Sequence, residues 1–216
     1  MRLPFTPHGV KEMAVYGGGL LVAGAAAVQL LPWAAPPLLL LALFVFAFFR
    51  DPERRPEGGP EAAVAPADGT VADIETVEDP LAPGRRALRI GIFLSVFDVH
   101  VNRAPLEGRV VAVRYTPGAF LDARDPDCVV RNESNLVGFV GRRGPFAVRQ
   151  VAGLIARRIV CPLREGDTVA RGERMGLIKF GSRTELYLPA EAGARVEVAV
   201  GRKVRGGRTI LLRYPA

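Results

Sequence analysis

The amino-acid sequence predicts a mainly β domain carried behind an N-terminal apolar helical hairpin. The β domain is expected to be barrel-sandwich-hybrid-like, related to the biotinyl and lipoyl hammerhead. Three observations carry this expectation: an uncharged run from Ala14 to Phe49, short β-type runs from Ala62 onward, and a turn–strand–turn pattern over 165–178.

The uncharged run sets the organisation of the chain. One membrane-crossing helix needs about 20 apolar residues, so the run is too long for one helix and short for two. Pro32, Pro36 and Pro37 flank Trp33 near its middle, where proline ends or kinks a helix. The expectation is two apolar helices, 13–30 and 37–49, joined by a Pro/Trp turn. Two complete spans and a hairpin dipping into the bilayer both satisfy the pattern. Arg2 and Lys11 precede the run, and Arg50, Arg54 and Arg55 follow it. Cationic flanks stay on the cytoplasmic side. That puts both ends, and the domain that follows, at the cytoplasmic face of the cell membrane. A cleaved signal peptide has an apolar core of about 7–15 residues, shorter than this run.

Residues 50–60 are charged and rich in Pro and Gly, so they read as a linker. The expected organisation is a membrane-associated hairpin over 1–49 and a second domain over 50–216. In that second domain the runs GTVADIETV, RALRIGIFLSV, GRVVAVRY, NLVGFVG, PFAVRQVAGLIARRIV, ARVEVAV and TILLRY alternate with turn residues. Short strands at this spacing, without long 3.6-residue periodicity, predict a barrel or sandwich. In the stretch Glu165 to Ile178, Gly166-Asp167 and Gly172-Glu173 make two turns around one short strand. That is a hammerhead-like pattern, echoed more weakly at 66–71 and 105–111.

Composition narrows the chemistry. With 49% hydrophobic and 24% charged residues, the chain is neither disordered nor a large multidomain enzyme. Its net charge of +7 comes from scattered arginines without an aromatic-interleaved basic stripe. A nucleic-acid partner is therefore not expected, and anionic lipid headgroups suit the charge better. Cys128 and Cys161 lack metal-ligand or redox spacing, and His8 and His100 are the only histidines. Zinc-ribbon and disulfide-scaffold readings fail on that basis, and no metal is expected. A phosphate-binding glycine loop and a nucleophile elbow are also absent from the sequence.

Two segments remain unusual. In 97–105, FDVHVNRAP, His100 falls at or just beyond a strand end, and alternation would put Asp98, His100 and Asn102 on one face. Such a histidine is a candidate for proton transfer or simply a packed residue. In 178–189, IKFGSRTELYLP, a Gly-Ser step separates two β-type runs, which by itself reads as a bulge or turn.

Taken together, PADG (66–69), FDVHVNRAP (97–105), RNESN (131–135), QVAGLIARRIVC (150–161) and the 165–189 block resemble, in this order, phosphatidylserine decarboxylase proenzymes of the short bacterial and archaeal type. The resemblance runs from about residue 50 to the end. It implies a pyruvoyl-dependent decarboxylase domain that cuts itself between Gly181 and Ser182. Ser182 would attack the Gly181 carbonyl, and the ester formed would be eliminated. The residue left behind would hydrolyse to a pyruvoyl group, with no pyridoxal phosphate and no metal. Glycine before the serine lets the backbone bend for this attack.

By the same resemblance the pyruvoyl carbonyl forms a Schiff base with the amine of phosphatidylserine in the membrane, releasing CO2 and phosphatidylethanolamine. His100 is then the general acid/base, and Asp68 assists self-cleavage. Longer relatives carry a second histidine where this chain has Arg103. Either His100 therefore serves both steps, or Asp68 works with another partner. Arg103 is open to two readings, a lipid-phosphate ligand and a surface ion pair. Asn132, Glu133 and Asn135 are implied as substrate-binding residues in one wall of the site. The fragments 1–181 and 182–216 are expected to stay associated, and the resemblance implies a homodimer.

One other reading fits the residues equally, and two are weaker on them. Archaetidylserine decarboxylases share these motifs and this mechanism. A hammerhead carrier would place its modified lysine in a tight turn commonly flanked by methionine, and Lys179 in LIKFG lacks those flanks. A non-enzymatic adaptor leaves the FGSR block without a reason.

Overall fold

The computed structural model describes residues 4–125, 127–154, 158–179 and 182–215. The chain divides into two compact units, Met1–Glu53 and Arg54–Ala216.

In the first unit a helical stretch runs from Pro7 to Leu30, 24 residues, long and apolar enough by length and composition to cross a membrane. It includes a π-helical turn at Met13–Gly17 and the α-helix Gly18–Leu30. Leu31 leaves helical geometry at φ −153° and ψ 68°, and Pro32 cannot donate the next helical hydrogen bond. The second helix, Ala35–Phe48, begins two residues earlier than expected. Pro36 and Pro37 sit in its first turn, where a missing N–H costs nothing. Gly24 lets the two helices approach: a Cβ there would lie 2.8 Å from Leu39 Cδ2. Thr6 N donates to Phe49 O and Asp51 N to Pro4 O, so both ends of the hairpin meet.

The second unit is mainly β, as the sequence predicts. Its strands are β1 (Ala62–Val64), β2 (Gly69–Glu78), β3 (Arg86–Leu94), β4 (Val101–Arg103) and β5 (Gly108–Thr116). They continue with β6 (Ser134–Gly141), β7 (Gly144–Ala152), β8 (Ile159–Val160), β9 (Thr168–Val169) and β10 (Arg174–Ile178). The last four are β11 (Ser182–Pro189), β12 (Arg195–Val196), β13 (Lys203–Val204) and β14 (Ile210–Arg213). A curled eight-stranded sheet has the order β13-β2-β3-β11-β7-β6-β5-β9. Two three-stranded sheets, β4-β10-β8 and β1-β14-β12, accompany it.

Alternation explains the layers. Ile90, Ile92 and Leu94 on β3 and Leu186 and Leu188 on β11 join Phe139, Val148 and Met175 in one buried apolar cluster. Phe139 and Phe146 stack with centroids 4.8 Å apart. The 165–178 pattern forms as read: Gly166 and Gly172 adopt positive φ on either side of β9. The ARVEVAV run is a strand only at Arg195–Val196, where β14 pairs with it. Among the described residues the sequence reading lacks β1, β13 and the short helix Cys128–Arg131.

Candidate active site

The strands β10 and β11 belong to different sheets, yet only residues 179–181 separate them. Phe180 and Gly181 lie outside the described residues, so the expected cleavage position Gly181 has no geometry here. Ser182 opens β11, which is the strand held between β3 and β7. Its register partners are Leu94 and Ala152. The residue is wholly buried, and Ser182 Oγ has no hydrogen-bond partner among the described residues. An unsatisfied buried hydroxyl costs about 1–3 kcal/mol, which marks the position as built for something other than packing.

His100 is also wholly buried. Its Nδ1 lies 2.9 Å from Asp98 O, and its own carbonyl accepts from Ile178 N. A carbonyl only accepts, so this contact assigns the proton to Nδ1 and the neutral ring's lone pair to Nε2. Asp98 does not share the face of His100 as alternation suggested. Residues 95–98 form a turn in which the Asp98 carboxylate takes the amide and hydroxyl of Ser95, and β4 begins only at Val101.

Asn102 joins the two sheets. Its Nδ2 donates to Thr184 Oγ1 at 3.0 Å, and its Oδ1 accepts from Gln150 Nε2 at 2.8 Å. Gln150 Oε1 in turn accepts from Asn135 Nδ2 at 3.1 Å. Asn135, Gln150 and Thr184 are register neighbours across β6, β7 and β11. All four side chains are buried, and the chain of amides satisfies them in a low-dielectric layer. Gly176 makes room for it, since a Cβ there would lie 3.0 Å from Gln150 Nε2. Sequence reasoning singled out Asn135 but not Gln150 or Thr184. Their signal was a polar residue at a core-facing position of an otherwise apolar strand.

The other expected residues fall into two groups. Asn132 Nδ2 donates to Leu121 O and Ala152 O, and its Oδ1 accepts from Leu121 N. Glu133 exchanges backbone bonds with Ala119 and Ala152. Asn132 and Glu133 therefore stand at the Ser182 end of the sheet, beside the strand that pairs with it. Asp68 Oδ1 accepts from Gly206 N at 2.7 Å, and its Oδ2 lies 3.0 Å from Arg54. Arg103 is 3% exposed, so it is not a surface ion pair. Strand alternation directs it away from the Asn102 face, and Nη1 donates to Gly172 O. Lys179 is buried at 8% exposure, which no modified carrier lysine can be.

The reverse face of β11 is ionic. Arg183 Nε donates to Glu185 Oε1 at 2.8 Å, and Arg183 Nη2 lies 2.6 Å from Asp73 Oδ2 on β2. Arg89 on β3 contributes Nε at 3.3 Å from Asp73 Oδ1 and Nη2 at 2.7 Å from Glu75. Tyr187 O–H donates to Glu185 Oε2 at 2.6 Å. The contacts to Asp73 are ion pairs without aligned hydrogen bonds. Burial opposes the charge on Arg183, but Glu185 and Asp73 outweigh it and hold the guanidinium above its ordinary value. Burial raises the Tyr187 phenol, and Glu185 raises it further. A cavity of about 570 Å³ lined by Arg89, Phe93, Val129 and Arg183 opens on this face. Among the described residues no group of three or more His, Cys, Asp or Glu could hold a metal ion.

Fold and site together define a mainly β domain with a buried serine and a buried histidine where two sheets meet. The phosphatidylserine decarboxylase family profile matches residues 41–212. The phosphatidylserine decarboxylase proenzyme of Cupriavidus pinatubonensis is 47% identical over 183 residues, covering 83% of this chain and 82% of the relative. The proenzyme of the same name from Cupriavidus metallidurans is 45% identical over the same coverage. That of Burkholderia cenocepacia is 46% identical over 176 residues, 81% of each chain. The chain belongs to the phosphatidylserine decarboxylase family.

Proposed function

We propose that this protein cuts itself between Gly181 and Ser182, converts Ser182 to a pyruvoyl group, and then decarboxylates phosphatidylserine to phosphatidylethanolamine. The observation that carries the reading is the orphaned, wholly buried Ser182 Oγ at the first position of a central strand. The residues fit the group. The ladders to Leu94 and Ala152 fix the backbone of residue 182, and the amide layer holds the same strand two residues on, at Thr184.

In the cleavage step the Ser182 hydroxyl attacks the preceding carbonyl, and the acyl group moves from nitrogen to oxygen. Elimination of the ester releases fragment 1–181 with a free carboxylate, and hydrolysis of the remaining dehydroalanine gives ammonia and the pyruvoyl end. A hydroxyl is a weak nucleophile and needs a base. His100, with its lone pair assigned to Nε2, is the proposed base, and Asp68 is proposed to assist. The pyruvoyl carbonyl, once formed, supplies an electrophile for the headgroup amine and a sink for the electrons released with CO2. His100 Nε2, having first taken a proton from the headgroup ammonium, then supplies the proton that replaces the carboxylate on the headgroup carbon. Asn132, Glu133 and Asn135 are proposed to shape the headgroup side, and Arg103 to pair with the lipid phosphate.

The N-terminal unit is proposed to hold this chemistry at the cytoplasmic face of the membrane, where the headgroup is presented, and the mature protein to form a homodimer. Intact mass of the denatured protein, beside Ser182→Ala, tests the reading. Two fragments splitting after Gly181, the smaller carrying a pyruvoyl mass, are expected, with the variant as one chain. Decarboxylase activity in a single intact wild-type chain would overturn the mechanism.

A further inference from the structure

Self-cleavage, if it occurs as proposed, turns Ser182 from a mid-chain residue into a chain end. Chain ends fray unless something ties them down. The end in question would carry the reactive group, and a displacement of about 1 Å at such a group is worth roughly a hundredfold in rate.

The residue next to the cut is Arg183, and its side chain enters the reverse face of the sheet. It is 6% exposed, paired to Glu185 on its own strand and to Asp73 two strands away. To reach Asp73 the guanidinium crosses β3 at Gly91. A Cβ at that position would lie 2.1 Å from Arg183 Nη2 and 2.8 Å from Asp73 Oδ1. Any residue with a side chain at 91 would therefore close the path. Burying an arginine is expensive, and breaking one side of a buried pair leaves an uncompensated charge. Movement of residue 183 out of the sheet would do just that, so the arrangement resists fraying at this one position.

We propose that Asp73, through Arg183, clamps the chain end generated at residue 182, which makes Asp73 and Arg183 positioning residues of the cut enzyme. The proposal rests on the self-cleavage reading above. In the uncut chain, residue 182 is tethered through 181 to β10, and the clamp is redundant. In the cut chain, the β-ladders and Arg183 are what remain. Loss of the clamp therefore spares self-cleavage and impairs decarboxylation.

The test compares full-length wild type, Asp73→Asn and Asp73→Glu, each also in a Ser182→Ala background that stays uncut. Cleavage is followed by intact mass during cell-free synthesis. Values of kcat and KM are measured on phosphatidylserine in mixed micelles. Amide hydrogen exchange is read over residues 183–186. In cut Asp73→Asn these amides are expected to exchange at least tenfold faster than wild type, while the same substitution in the uncut background leaves them within twofold. The same variant should cleave at the wild-type rate, lose about tenfold in kcat with KM unchanged, and recover in part with Asp73→Glu. Equal exchange in cut and uncut Asp73→Asn, or parallel loss of cleavage and kcat, would overturn the clamp. If Asp73→Asn does not fold, Arg183→Lys, which keeps the charge but not the two-point contact, takes its place with the same readouts. A wild-type chain that never cleaves would overturn the self-cleavage reading and the clamp with it. A wild type that cleaves and turns over, with a variant indistinguishable from it, would overturn the clamp alone.

Discussion

Asn102 Nδ2 donates to Thr184 Oγ1 across the gap between two sheets, and each residue stands two positions from a group that the proposed reaction needs. His100 precedes Asn102 at the head of β4, and Ser182 precedes Thr184 on β11. The hydrogen bond thus fixes the lateral placement of one strand on the other close to both groups.

Gln150→Leu removes the middle of this amide layer. Asn102 Oδ1 and Asn135 Nδ2 are then left buried without their partner, at about 2–6 kcal/mol for the two groups. Self-cleavage should slow because β4 is less well placed on β11. Denaturant midpoints and the cleaved fraction from intact mass check both effects, and a fully cleaved, undiminished variant would remove the layer from the mechanism.

Fragment 182–216 should survive the cut in place. Its β11 pairs along its whole length with β3 and over six residues with β7, and its β14 pairs with β1. Size-exclusion chromatography without denaturant should therefore show both fragments in one peak. They should part only in denaturant, at the same midpoint at which far-ultraviolet circular dichroism is lost.

Alkaline pH should destabilise the fold through the thiols. Burial raises Cys128 from 9.0 to about 11, with Arg183 opposing and Glu185 reinforcing the shift. The folded state therefore keeps its proton more tightly than the unfolded state. This contribution is intact below pH 9 and fades as pH rises toward 11, by roughly 2–3 kcal/mol in all. Burial also raises Cys161, and Tyr214 rises to about 12, so the slope steepens in the same direction. Urea unfolding from pH 8 to 10.5 reads the loss, and Cys128→Ala should flatten it. At pH 8 a thiol reagent should label neither cysteine quickly until urea is added.

Deleting residues 1–49 separates anchoring from chemistry. Activity on long-chain phosphatidylserine in vesicles should fall at least tenfold, from loss of effective concentration at the surface. A short-chain soluble analogue should be turned over nearly as before. Equal losses on both substrates would show that the hairpin does something other than hold the domain at a membrane.

What was legible in the sequence was local. Short β-type runs between turn residues marked β2, β3, β5, β6, β7 and β11, and the glycine turns at 166 and 172 required no partner to form. The Pro/Trp break was readable because proline acts on its own backbone. What was not legible depends on distant residues. Gln150 meets Asn102 across 48 positions and Asn102 meets Thr184 across 82, and no periodicity joins them. The Arg183–Asp73 pair needs β2, β3 and β11 in register before it exists. Asp98 misled for the opposite reason: an alternating pattern was extended into a turn that its own carboxylate organises. His100 and Ser182 were found because their neighbours spell out a family motif, and the structure adds that both are fully enclosed.

The place of β11 within the eight-stranded sheet has one more consequence. A strand bonded on both edges cannot be lost without exposing two raw edges inside the sheet, and such edges seek other chains. A spent copy of fragment 182–216 could not be swapped for a fresh one without opening the fold at its centre. On the proposed mechanism each molecule therefore makes its reactive group once and keeps it for life. Chemical damage at residue 182 would retire the whole protein, and the cell would replace it by synthesis rather than repair.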